Sequence, residues 1–125
     1  MKKIVALTVD HETQRYPTVG DYEEGHGLVV FSVSNMNNDH YEALVLIHEL
    51  VEYLLVRARG IPLADIDAFD INYEKNRTEF DLEEPGDAIN APYRREHQFA
   101  TRIEKLLAAE LGVDWPTYDK TVSDL

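Results

Sequence analysis

The chain has 125 residues, 44% of them hydrophobic, which fits one domain with a modest core and excludes a disordered chain. Its net charge of −12, from 24 acids and 12 bases, argues against nucleic-acid backbones and anionic membranes as partners, since both need a basic surface. It has no cysteine, which excludes disulfides and thiolate zinc sites and fits a reducing cytoplasm.

Residues 3–9, KIVALTV, predict a strand, because the run is short and β-branched. The start, MKKIVALTVD, is like a secretory signal, but its apolar run is short and Asp10 and His11 follow at once, so none is expected. Residues 14–27, with Pro17 and three glycines, predict a loop. Residues 28–34, LVVFSVS, predict a second strand. Asn38 or Asp39 is placed to cap a helix over about 41–59, and Gly60 with Pro62 ends it. Within the irregular stretch 61–92, a short helix is expected early and an exposed acidic loop, DLEEPGDAINAP, late. Pro92 suits the first position of a second helix over about 93–111, closed by Gly112. Trp115 and Tyr118 of the tail are expected to pack back on the body. No stretch reaches the roughly 18 apolar residues of a membrane span, and there is no glycine-rich phosphate loop. The order predicts an α+β fold. One domain, 1–125, would pack two main helices on one face of a small antiparallel sheet.

The first helix contains LVLIHELVEYLLV, Leu44 to Val56, in which His48, Glu49 and Glu52 are the only strongly polar residues. At about 100° per residue, the three share an arc of roughly 100°. The remaining circumference is apolar, which predicts a buried helix. Burying an ionised carboxylate is costly unless it is paired or binds a metal. In the second helix, Phe99, Ala100, Ile103, Leu106, Leu107 and Leu111 form an apolar stripe, with Glu96 inside it and His97 on its flank. Glu104 falls about 20° from His97 and reads as a surface or capping charge.

Two such helices, packed face to face, would bring their polar arcs together. His48, Glu52 and His97 would then supply two imidazoles and a carboxylate, the donors of a catalytic zinc site or that of another divalent transition metal. His48 and Glu52, at i and i+4, share a helical face. Glu49 would stand near the metal without binding it, as a general base must. Glu96 would orient a ligand histidine, or serve as an alternative ligand. Tyr16 or Tyr93 would donate to an oxyanion. His11, His26 and His40 fall in loops or turns and are not expected to be ligands.

HELVE, His48 to Glu52, resembles the HExxH signature of zincin metallopeptidases. The resemblance makes His48 the first zinc ligand and Glu49 the base. Glu52 stands where the second histidine would be, and His97 stands where gluzincins take a glutamate from a later helix. The ligand set is the same with two positions exchanged. It implies a zinc hydrolase with a protein or peptide-like substrate, and LVVFSVS in the role of a zincin edge strand that holds an extended substrate. Over nearly its full length, through RYPTVGDY, HELVEYLL, EPGD and APYRREHQFATRIE, the chain is also similar to small uncharacterised phage and prophage proteins. That resemblance implies the host cytoplasm. The alternative is a non-catalytic phage interaction module stapled by a structural metal or a buried ion-pair cluster. Facing acidic helices also resemble the all-α nucleotide pyrophosphohydrolases, which bind magnesium. The two strands and the histidines argue against that reading, since magnesium prefers oxygen ligands.

Overall fold

The computed structural model describes residues 3–125. Along the chain come strands β1 (Lys3–Val9), β2 (Gly20–Gly25) and β3 (Leu28–Ser34). Helices α1 (Asp39–Ala58), α2 (Leu63–Lys75), α3 (Arg94–Glu110) and α4 (Trp115–Ser123) follow. The fold is α+β, but the sheet is three-stranded and mixed, in the order β1-β3-β2. β1 runs parallel to β3, with Lys3 opposite Leu28 and Val9 opposite Ser34. β2 runs antiparallel to β3, with Gly20 opposite Val33 and Gly25 opposite Leu28.

Two expectations are corrected here. The sheet is not purely antiparallel, and β2 lies in the stretch expected to be a loop. GDYEEG shows no apolar alternation, and it becomes a strand because a tight hairpin lays it on β3. The turn residues His26 and Gly27 have φ of 52° and 78°, the positive values that primed hairpin turns require. β3 is therefore the central strand, paired on both edges, and cannot be the edge that holds an extended substrate. Residues 10–19 arch over its C-terminal end. Ser34 N–H donates to Val19 O at 2.8 Å and Asn35 N–H to Val9 O at 2.7 Å.

Val29, Phe31 and Val33 of β3 are buried in the core. α1 starts at its Asn38 cap, whose side chain accepts from Tyr41 N–H at 3.1 Å. Such a cap contributes about 1 kcal/mol. The helix ends where Ile61 N–H reaches back to Val56 O at 3.0 Å, past Gly60 at φ 67°. The core has two parts. Tyr22, Phe31, Tyr53, Val56, Ile66 and Tyr93 form one, and Val33, Leu44, Val45, Ala108 and Tyr118 form the other. On α1, His48 and Glu52 fall between these parts, so a polar layer separates two apolar ones.

The helix faces also differ from expectation. α1 is not buried all round. Its buried residues are Leu44, Val45, His48, Glu52, Tyr53 and Val56, whereas Leu54 is 45% exposed. The polar arc therefore lies on the buried side. On α3 the buried residues are Glu96, His97, Ala100, Glu104 and Ala108, while Phe99 and Leu106 are exposed. This face is rotated from the apolar stripe toward the polar flank. Pairing with α1 and with Arg59 just after it engages Glu96, His97 Nδ1 and Glu104, and paired buried polar groups are stable where a lone buried charge is not.

The short helix expected in 61–92 is α2. Pro92 lies in the turn before α3, which begins at Arg94. Trp115 and Tyr118 pack back as expected, on a helix, α4, that was not expected. Asp114 caps it by accepting from Thr117 N–H at 3.2 Å. No helix among the described residues is long and apolar enough to cross a membrane.

Candidate metal centre

α1 and α3 bring His48, Glu52 and His97 to one buried point. His48 Nε2 lies 3.2 Å from Glu52 Oε2 and 3.1 Å from His97 Nδ1. His97 Nδ1 lies 3.0 Å from the same Glu52 oxygen. The imidazoles meet edge to face, with planes 65° apart, which lets one nitrogen of each converge with the carboxylate. Ligands about 2.0–2.1 Å from a tetrahedral zinc stand about 3.3–3.4 Å apart. The triangle is only slightly tighter than that. The residues fit the group, and together they are a buried set that can hold a metal ion.

Two of the donors are fixed from behind by hydrogen bonds. His48 Nδ1 faces Glu104 Oε1 at 2.7 Å, and Tyr118 O–H donates to the other Glu104 oxygen at 2.6 Å. A carboxylate on the far nitrogen sets the tautomer and raises the basicity of a ligand histidine. Tyr22 O–H donates to Glu52 Oε1 at 2.8 Å, leaving Glu52 Oε2 to the two imidazoles. Across His97, Glu84 Oε2 lies 2.9 Å from Nε2. Gly86 presses against that ring. A Cβ there would fall 2.4 Å from His97 Cγ, so any side chain would displace the imidazole.

Glu49, the next residue on α1 after His48, is half-buried. Among the described residues, no side-chain hydrogen bond engages its carboxylate. It lines a cavity of about 590 Å³ together with His48, Glu52 and His97. Gly20 of β2 makes room for it, because a Cβ there would fall 2.7 Å from Glu49 Cγ and 2.8 Å from Oε1. Tyr16 and Tyr93 also line the cavity, and both donate to Asp70 of α2, at 3.2 and 2.6 Å.

Opposed effects set the charges. Burial works against charging His48, but Glu104 and Glu52 outweigh it and push His48 up to about 10. Burial also raises Glu52, and hydrogen bonds from His48 and His97 overcome it and hold Glu52 down at about 2. Burial works against His97 too, and Asp87, Glu52 and Glu84 draw it upward. His48 Nε2 and His97 Nδ1 face each other at 3.1 Å, so both cannot carry a proton there. One ring donating to the other, or a cation between them, fits that approach. Glu49 is pushed well above the usual carboxylate range, by burial first and then by the charge of Glu52. Burial pushes Asp70 up to about 7, against hydrogen bonds from Tyr93 and Tyr16.

The structure thus brings together the three expected ligands and places Glu49 beside them. It corrects the role expected of Glu96. Arg59 donates to Glu96 Oε2 at 2.6 Å, so Glu96 neither orients a histidine nor replaces a ligand. The carboxylate on His48 belongs to Glu104, expected to be a surface charge. The sequence signal for Glu104 was its angle close to His97; Tyr22, Asp70 and Tyr118 gave none. The 81–92 loop is not simply exposed, since Gly86 and Ala88 are buried and Glu84 reaches His97. His11 bonds Ser34 at 2.8 Å, His26 sits in the hairpin turn and His40 in the first turn of α1, all outside the triad. Compared with protein-family models, with curated proteins and with solved structures, the chain gives no match.

Proposed function

We propose that the protein is a metal-dependent hydrolase of zincin-like arrangement, with His48, Glu52 and His97 as zinc ligands and Glu49 as the general base. The observation that carries the reading is the converging triangle of donor atoms, 3.0–3.2 Å on a side, at the wall of an open cavity. Three protein donors leave a coordination position free, as catalytic zinc sites do. When bound, zinc supplies Lewis-acid activation of water and polarises a substrate carbonyl. The chain's own groups do the rest. Glu49 takes a proton, and the burial and the Glu52 charge that raise its pKa make its carboxylate a stronger base. Tyr22 keeps Glu52 from turning, and Glu104 keeps His48 in one tautomer. The cavity takes a protein or peptide-like substrate with an amide bond at its wall. The phage or prophage resemblance fits a host cytoplasmic setting.

A second reading is a non-catalytic phage interaction module. It is favoured by the completeness of the bonding around His48 and Glu52, where a buried ion-pair cluster or a structural metal would staple α1 to α3. Glu49→Gln separates the two. The hydrolase reading expects zinc content to stay at the wild-type level, while cleavage of an amide substrate pool falls roughly 10²–10⁴-fold. Equal cleavage by variant and wild type, or loss of zinc from the variant, would contradict it.

A further inference from the structure

The loop between α2 and α3 sets a second group of donors on the far side of His97. Glu84 Oε2 and Asp87 Oδ1 lie 2.9 and 3.5 Å from His97 Nε2, and the three donor atoms lie within 4.8 Å of one another. His97 is only 5% exposed, and its Nε2 is buried with no aligned hydrogen-bond partner among the described residues. Glu84 is near enough to accept a hydrogen bond but stands off the N–H direction, and a hydrogen bond weakens steeply off that line. Atoms that share an ion behave differently. Each points at the ion, so neighbouring donors sit side by side instead of head to head. The Glu84 and Asp87 side chains are 49% and 41% exposed, so solvent reaches this side of the ring.

We propose that Glu84, Asp87 and His97 Nε2 form a second divalent-cation site, which shares the His97 ring with the buried centre. One imidazole and two carboxylates suit zinc or manganese. A neutral imidazole has one free nitrogen lone pair. With both sites filled, the ring gives its remaining N–H proton to solvent, and each nitrogen donates one pair. The outer site does not depend on the buried one. With the buried centre empty, Nδ1–H donates to Glu52, and the outer ion takes the Nε2 lone pair, any proton held there leaving to solvent.

The test is zinc per chain of the full-length protein, measured by elemental analysis after equilibrium dialysis against zinc. Two double variants are compared, Glu84→Gln with Asp87→Asn, and His48→Gln with Glu52→Gln. The expected result is two ions in the wild type and one in each variant. A single ion in the wild type that the Glu84/Asp87 variant retains overturns the outer site and leaves the buried one standing. A single ion that this variant loses and the His48/Glu52 variant keeps supports the outer site and overturns the buried one. A wild type that binds none overturns both. Glu84 and Asp87 are surface-accessible, so their variant is expected to fold, and circular dichroism checks it. If the His48/Glu52 variant fails to fold, a zinc count that falls by one from wild type to the Glu84/Asp87 variant still supports the outer site, and an unchanged count overturns it.

Discussion

The Glu104 carboxylate holds His48 at one nitrogen and is held by Tyr118 at its other oxygen. Glu104→Gln keeps the shape and removes the charge. Loss of such a partner weakens metal affinity by about 10–100-fold. Competition against a chromophoric chelator measures this, and unchanged affinity would mean that His48 needs no anchor. His48, Glu49, Glu52 and His97 were legible in the sequence, because a few polar residues at fixed spacing on apolar helices must meet something. Glu104 is not legible in this way, because the apolar stripe of α3 is not the face it buries. That inference weighs single residues, whereas here a set of mutually bonded polar groups decided which face turned inward. Tyr22 and Asp70 reach the site across the fold, and no local pattern announces such contacts.

α2 reaches the cavity through Asp70, which joins it to the 10–19 arch at Tyr16 and to Tyr93 before α3. Burial raises the Asp70 pKa to about 7 from an ordinary 3.8. A raised pKa means that the folded state binds the extra proton. The stability it contributes is full below about pH 4 and is lost as pH rises through about 7. Melting curves of wild type and Asp70→Asn between pH 5 and 8 are therefore expected to diverge, with the variant gaining on wild type as pH rises. A constant difference across that range would show that Asp70 titrates normally. The long helices α1 and α3 were legible from periodicity and end signals. β2 was not, because its pairing with β3 supplies the order its composition lacks. α4 was not, because a short helix held by an Asp114 cap and by Tyr118 contacts carries little periodic signal.

Across the whole molecule, the α+β class followed from the order of elements, while the parallel pairing of β1 with β3 did not. That pairing depends on how residues 10–19 cross the sheet end, which no residue pattern dictates. The resulting architecture seats an acidic and histidine-rich layer between two apolar clusters and opens it to one cavity. Such a layer is stable when its charges are matched, and a bound cation would match them. A crystal structure of the zinc-loaded protein, with anomalous scattering at the zinc edge, tests this most directly. A peak is expected about 2.0–2.2 Å from His48 Nε2, Glu52 Oε2 and His97 Nδ1. Zinc-loaded crystals with no peak among those three atoms would contradict it.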